Sequence, residues 1–284
     1  MYSQPITQSH RSTIVFCIDC STSMQEEIIF NNQRFSKADL ATLFANIMID
    51  ELYIRSSRYG NIRNYYDIAV IGYGGDGAFP MLCSKNIALI PITELSKATP
   101  KEQIFSFTQE VNGKTHMASF IVHPWIKPIA QGQTPMYEAL VATHSLISAW
   151  CSKRDNKRSF PPMVFNITDG EATDGSPADL INIAHNIKNT GTRDGNTLMI
   201  NVHIGDLSEG NAILFPRTLY GITESRSAHT LYHMSSIAPR NMEPLLPPDL
   251  STGTVLPRRL MAHNTTPYDL LNIIHIGSES LHKM

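Results

Sequence analysis

The segment Ile14-Val15-Phe16-Cys17-Ile18-Asp19-Cys20-Ser21-Thr22-Ser23 constrains the fold more than any other part of the chain. A continuous apolar run of this length reads as a buried strand. It ends on a carboxylate, and hydroxyls follow at alternate positions, giving Asp-x-Ser-x-Ser. Oxygen donors at i, i+2 and i+4, in the loop after a buried strand, suit a small hard cation such as Mg²⁺. Taken alone, the same residues also make an ordinary turn or helix N-cap, since Ser and Asp bond nearby backbone groups.

Strand-like and helix-like patterns alternate along the rest of the chain, which favours a parallel sheet covered by helices on both faces. After a first strand at 13–19, a helix is expected over 35–57, where Leu40, Leu43, Phe44, Ile47 and Met48 recur with a 3.6-residue period. A strand at 67–73 runs into Gly72-x-Gly74-Gly75-x-Gly77. A phosphate-cradling loop would have to open a helix at this point. Ala78-Phe79-Pro80 follows instead, so a hairpin into a short antiparallel edge strand fits better. Segment 93–133 is the least defined, with a helical turn or two expected over 100–110 and a strand or ordered insertion over 115–122. Next come a helix at 137–151 with Pro135 near its start, a strand at Met163–Thr168, a helix at 177–188 and a strand at 198–204. Beyond Gly205 the expectation is a last strand at 212–215, a helix at 228–236, a proline-rich wrap over 240–257 and a short helix at 269–276. The organisation expected is an N-terminal tail (1–12), one domain (13–236, with an insertion at about 93–133) and a C-terminal extension (237–284) packing on it.

Two further pieces, Gly132-Gln133-Thr134-Pro135-Met136 and Ile167-Thr168-Asp169-Gly170, place oxygen donors at other element boundaries. With Asp19-x-Ser21-x-Ser23 they resemble the metal-ion-dependent adhesion site of von Willebrand factor A domains. The resemblance covers roughly residues 12 to 205, and all five motif positions are filled. One departure is Thr22, where relatives frequently carry glycine. The resemblance implies a Rossmann-like, doubly wound α/β fold: a mostly parallel central sheet with one antiparallel edge strand and helices on both faces. It implies Mg²⁺ as the ion, with Mn²⁺ or Ca²⁺ as alternatives. Ser21 and Ser23 would be direct ligands, Thr134 a switchable one, and Asp19 and Asp169 anchors acting through water. The open coordination position would take a Glu or Asp carboxylate from a protein partner. Among cytosolic branches, Gly-x-Thr-Pro-Met-x-x-Ala-Leu and Met234-Ser235-Ser236 resemble the bacterial tellurium-resistance (TerY-like) proteins. That branch implies a stress or defence system with a phosphatase or kinase partner.

Other chemistries find less support. No Gly-x-Ser-x-Gly elbow or Gly-x-x-x-x-Gly-Lys-Ser/Thr loop is present, and Ser21 stands where an aspartyl-phosphate enzyme has its second aspartate. A binding module, not an enzyme, is therefore expected. The alternatives are a scaffold with a structural or vestigial metal, docking through Tyr65, Tyr66, Tyr73, Phe79 or Trp125, and, with less support, a metal-dependent phosphohydrolase. His116 and His123 lack a third ligand nearby for zinc and read as packing or exposed residues. Glu171 and Asp174 do not match a calcium loop and read as a turn before a helix start at Ser176. Cys17-x-x-Cys20 suggests redox chemistry or half a zinc site, but Cys17 lies within the expected strand and Cys83 and Cys151 supply no second half. Small buried hydrophobes are the simpler reading.

A chain of 284 residues with 42% hydrophobic content can build a sizeable core. Its net charge of −2, with no basic run interleaved with aromatics, gives no electrostatic case for nucleic acid. The basic stretch 153–158 reads as a solvated turn. Residues 1–12 are polar without a basic start or apolar core, so no signal peptide is expected. No apolar segment approaches the roughly 20 residues that cross a bilayer. Cytoplasm is the expected compartment and no membrane partner is expected. Asn166 and Asn264 match the glycosylation tripeptide by letter only.

Overall fold

A computed structural model describes residues 1–30, 33–82, 85–111, 114–205, 212–222, 225–247 and 256–265. In chain order its elements are β1 (Ser12–Asp19), β2 (Glu27–Phe30), β3 (Gln33–Ser36), α1 (Lys37–Ser56), β4 (Ser57–Arg58), β5 (Asn61–Ile62), β6 (Tyr66–Gly74), β7 (Gly77–Pro80) and β8 (Ile90–Pro91). There follow β9 (Gln103–Val111), β10 (Lys114–Val122), α2 (Met136–Ser152), β11 (Met163–Thr168), α3 (Pro177–Asn189), β12 (Leu198–His203), β13 (Ile213–Leu214), α4 (Arg226–Met234) and β14 (Met261–His263).

Every residue of β1 is buried, and its side chains divide between two cores. Ile14, Phe16 and Ile18 pack with Leu40, Phe44 and Met48 of α1. Val15 and Cys17 point the other way, into a core shared with Ala139 and Leu140 of α2, Ile183 of α3 and Leu231 of α4. Helices on both faces follow directly from that period-2 division. Phe16 stacks on Phe165 with ring centroids 5.4 Å apart, which ties β1 to β11 on the α1 face.

The eight-stranded sheet runs β13-β14-β12-β11-β1-β6-β7, with β8 also paired to β6. β14, β12, β11, β1 and β6 are parallel. Both edges are antiparallel: β7 and β8 on β6, and β13 on β14. The fold is thus the expected doubly wound α/β architecture, with a second antiparallel edge that the sequence reading did not contain. Counted along the chain, the parallel strands lie in the order second, first, third, fourth, fifth. The direction of winding reverses between β1 and β11, and the carboxyl ends of those two strands flank the switch point.

Two expectations are corrected. Residues 100–110 are not helical; Gln103–Val111 forms strand β9, paired with β10 over nine residues each. Ile104, Phe105 and Thr108 supply the β-branched and aromatic content of a strand, and the helical turn lies earlier, at Ile92–Lys97. The C-terminal part also does more than wrap. Met261–His263 adds a fifth parallel strand, while Met242 and Leu246 are buried in the α1-side core. The stretch 248–255 and the helix expected at 269–276 lie outside the described residues.

Candidate functional site

Ile18 of β1 pairs with Ile167 of β11, so both strands deliver their next residues to the switch point together. Asp19 is fully buried there. Its Oδ1 accepts from the Ser21 backbone N–H at 2.9 Å, and its Oδ2 from the Thr168 hydroxyl at 2.6 Å. The first bond makes the turn that brings the hydroxyls round. A 3₁₀ turn at Thr22–Gln25 follows, pinned by the buried Met24. Ser21 Oγ and Ser23 Oγ lie 3.0 Å apart, and Ser23 Oγ donates to Asp169 Oδ1 at 2.9 Å. Asp19, Ser21, Ser23 and Asp169 therefore form one hydrogen-bonded cluster.

Thr134 reaches the same place through glycines. The loop before it is stitched to the first loop by Gln131 N–H to Cys20 C=O at 2.7 Å and Thr22 N–H to Gly132 C=O at 3.0 Å. Gly132 has φ +70°, and a Cβ on it would sit 2.4 Å from the Gly75 Cα. A Cβ on Gly74 would sit 2.4 Å from the Cys20 carbonyl oxygen. The Gly-rich segment after β6 thus forms the expected hairpin and also lets two site loops approach closely. On the other side, Thr134 N–H donates to Thr173 Oγ1 and Thr173 N–H to the Thr134 carbonyl, both at 3.0 Å. Thr134 does not cap α2. Asp174 does, accepting from Tyr137 and Glu138 N–H at 3.0 and 2.8 Å. Ser176 starts α3 with a capping box to Asp179, as expected.

Sequence reasoning missed Lys37. It opens α1, is nearly buried, and donates to Asp169 Oδ2 at 3.1 Å and to Glu26 Oε2 at 2.5 Å. Burial works against its charge, but Glu26 and Asp169 outweigh that and hold its pKa above the usual lysine value. His203, at the end of β12, was also missed. Burial, His263 and Lys37 push its pKa down to about 3, and its ring stacks on His263 at 4.7 Å. Neither residue follows from local spacing; each comes to the site through the sheet order.

Asp19 is the electrostatic anomaly. Among the described residues no Lys, Arg or His pairs with it, although Asp169 nearby has Lys37. Burial pushes its pKa up to about 6 against the hydrogen bonds from Ser21 and Thr168, with Asp169 adding repulsion. A buried carboxylate without a cation, beside neutral hydroxyls, is a donor set that Mg²⁺ fits. Among the described residues no group of three or more His, Cys, Asp or Glu side chains is placed to hold a metal. The cluster's own donors are carboxylate and hydroxyl oxygens, hard ligands of the kind Mg²⁺ takes.

The other sequence candidates are structural. Cys17 and Cys20 are buried free thiols whose pKa values burial pushes up to about 12; Cys83 lies outside the described residues. His123 Nδ1 is 3.0 Å from Asp50, which also accepts from Trp125 Nε1 at 2.6 Å; the His116 side chain lies outside the described residues. Of the candidate docking aromatics, Tyr66 and Tyr73 are buried and Tyr65, Phe79 and Trp125 pack against the core. Asn166 is buried within β11, between Tyr73 OH and Asn201. Asn201 Nδ2 in turn donates to Ser235 Oγ at 2.9 Å, which gives the Met-Ser-Ser segment a structural task.

Fold and site together define a doubly wound α/β protein with a carboxylate–hydroxyl cluster at its switch point. No family model and no curated protein matches the chain. Solved structures do match. One, described as a von Willebrand factor type A protein from Catenulispora acidiphila, is 17% identical with a TM-score of 0.42, over 69% of this chain and 34% of its own. The chain thus spans about a third of that protein's length. Another, described as an uncharacterized membrane spanning protein from Vibrio fischeri, is 16% identical with a TM-score of 0.27, over 79% of this chain and 85% of its own. No helix among the described residues is long and apolar enough to cross a membrane.

Proposed function

We propose that this is a von Willebrand factor A-type module in which Asp19, Ser21, Ser23, Thr134 and Asp169 hold Mg²⁺, and that it binds a protein partner through a Glu or Asp carboxylate. The observation that carries the reading is Asp19: a fully buried carboxylate with no cation among the described residues, at the switch point, beside linked serine hydroxyls. When bound, the ion supplies a Lewis-acidic position for the partner's carboxylate oxygen. Asp19 sets the turn that aims Ser21, and Ser21 and Ser23 contribute neutral oxygens. Lys37 offsets part of the carboxylate charge through Asp169, so the site stays attractive to an incoming anion.

The same bonding argues for binding over catalysis. Both Asp19 oxygens already accept hydrogen bonds, and the Ser21–Ser23 pair is tied to Asp169 with no histidine base bonded to either serine among the described residues. Within this reading the chain belongs to a cytosolic, TerY-like stress or defence system, with a phosphatase or kinase as partner. Mn²⁺ or Ca²⁺ replaces Mg²⁺ where available.

The test is capture by the immobilised full chain with Mg²⁺, with chelator, and with Ser21→Ala. A partner held with Mg²⁺, released by chelator and not captured by Ser21→Ala supports the reading. Capture indifferent to all three contradicts it, and chelator-induced unfolding means the metal is structural.

A further inference from the structure

The opposite end of the sheet carries a basic cleft. The loops before β1, β6, β11 and β12 enclose a cleft of about 850 Å³, within the range of small-molecule pockets. By strand length it lies roughly 23 Å from Asp19. Five cations line it, Arg11, Arg154, Lys157, Arg158 and Arg193, against one carboxylate, Asp155. That local balance of +4 sits on a chain whose net charge is −2.

Only Arg11 is already committed, to Asp67 at 2.9 Å. Among the described residues, Arg154, Lys157, Arg158 and Arg193 are exposed and make no ion pair. Their loops are nevertheless fixed. Arg193 N–H donates to the Lys157 carbonyl at 2.8 Å, Thr192 Oγ1 to the Ser159 carbonyl at 2.7 Å, and the buried Asn156 to the Trp150 carbonyl at 2.9 Å. Four like charges held around one concavity repel each other, and an anion entering it relieves that repulsion.

We infer that this cleft binds a small anion carrying several phosphate groups, such as a tripolyphosphate or the polyphosphate of a nucleotide. Arginine's planar fork matches phosphate oxygens in pairs, and three of the four uncommitted cations are Arg. The lining contains no Phe, Tyr or Trp. His10 is the one aromatic ring in the lining, so the cations dominate it and the phosphates are read more strongly than an attached base. The lack of Phe, Tyr and Trp, with the chain's overall negative charge, argues against a nucleic-acid strand.

The experiment is calorimetric titration of the full chain with tripolyphosphate and with ATP, in chelator and at about 0.15 M salt. Chelator removes the metal site from the comparison, so the two proposals fail separately. The expected result is saturable tripolyphosphate binding that weakens at least about tenfold in the Arg158→Gln/Arg193→Gln double variant. It should be unchanged in Asp19→Asn, and ATP should bind within about threefold of tripolyphosphate. Absent saturable binding, or binding that ignores the double variant, overturns the inference. An oligonucleotide that outcompetes tripolyphosphate also overturns it, in favour of a nucleic-acid surface.

Discussion

At the carboxyl ends of β1 and β11, Asp19, Ser21 and Thr168 are buried and bonded to one another, and only Ser23 of the bonded cluster is exposed: Asp19 bonds Ser21 and Thr168, Ser23 bonds Asp169, and Asp169 pairs with Lys37. At the amino ends of β11 and β12, Arg154, Lys157, Arg158 and Arg193 stand exposed and unpaired among the described residues. One sheet thus carries an oxygen-rich site built by burial and a cationic site built by exposure. The difference has an energetic consequence. Substitutions at the buried end change folding as well as binding, whereas substitutions at the exposed end should change binding alone.

The largest effect expected is at Gly132, whose positive φ and contact with Gly75 leave no room for a side chain. Gly132→Ala should cost about 3 kcal/mol in denaturant melts. Gly170→Ala, in the neighbouring loop with open space around its Cβ position, should cost less than about 0.5 kcal/mol. Similar losses at both positions would break the account of how the loops approach. Next comes Asp169→Ala, which leaves Lys37 nearly buried with only the more exposed Glu26. A loss of about 2 kcal/mol is expected, less than for a fully orphaned charge; an unchanged melting temperature would mean the ion pair is idle.

Asp19→Asn sharpens the contrast because its sign is reversed. The folded-state pKa of Asp19, about 6, lies above its ordinary value of 3.8. An acid shifted this way penalises folding where it is ionised, fully above pH 6 and not at all below about 4. Metal-free Asp19→Asn should therefore be more stable than the parent at pH 7, by about 3 kcal/mol. That advantage should vanish as pH falls towards 4, as read from melts across the range. A destabilised variant at pH 7 would show that Asp19 supports the fold more than a cation. The smallest effect belongs to the basic end, where Arg158→Gln and Arg193→Gln should each move stability by less than about 0.5 kcal/mol.

The same contrast explains what was legible in the sequence. Asp19, Ser21 and Ser23 lie within one turn, so their spacing encodes their geometry, and β1 announces itself by an unbroken apolar run. The basic cleft is assembled from four loops, and residues 153–158 alone read as a solvated turn. Met261–His263 is too short to display a period, and it becomes a strand only because β12 and β13 flank it. Lys37 reads as the first residue of a helix, and only tertiary packing makes it the partner of Asp169. Strand β9 is different: its β-branched and aromatic residues are visible in the sequence, although the expectation there is a helical turn.

The most direct test is calorimetric titration of the metal-stripped protein with Mg²⁺, repeated on Asp19→Asn. The account predicts saturable binding near one equivalent in the parent. It predicts none in the variant, which should still unfold cooperatively and at a higher temperature. Equal binding by both proteins, or none by the parent up to about 10 mM, would contradict the claim that Asp19 is buried to hold a cation.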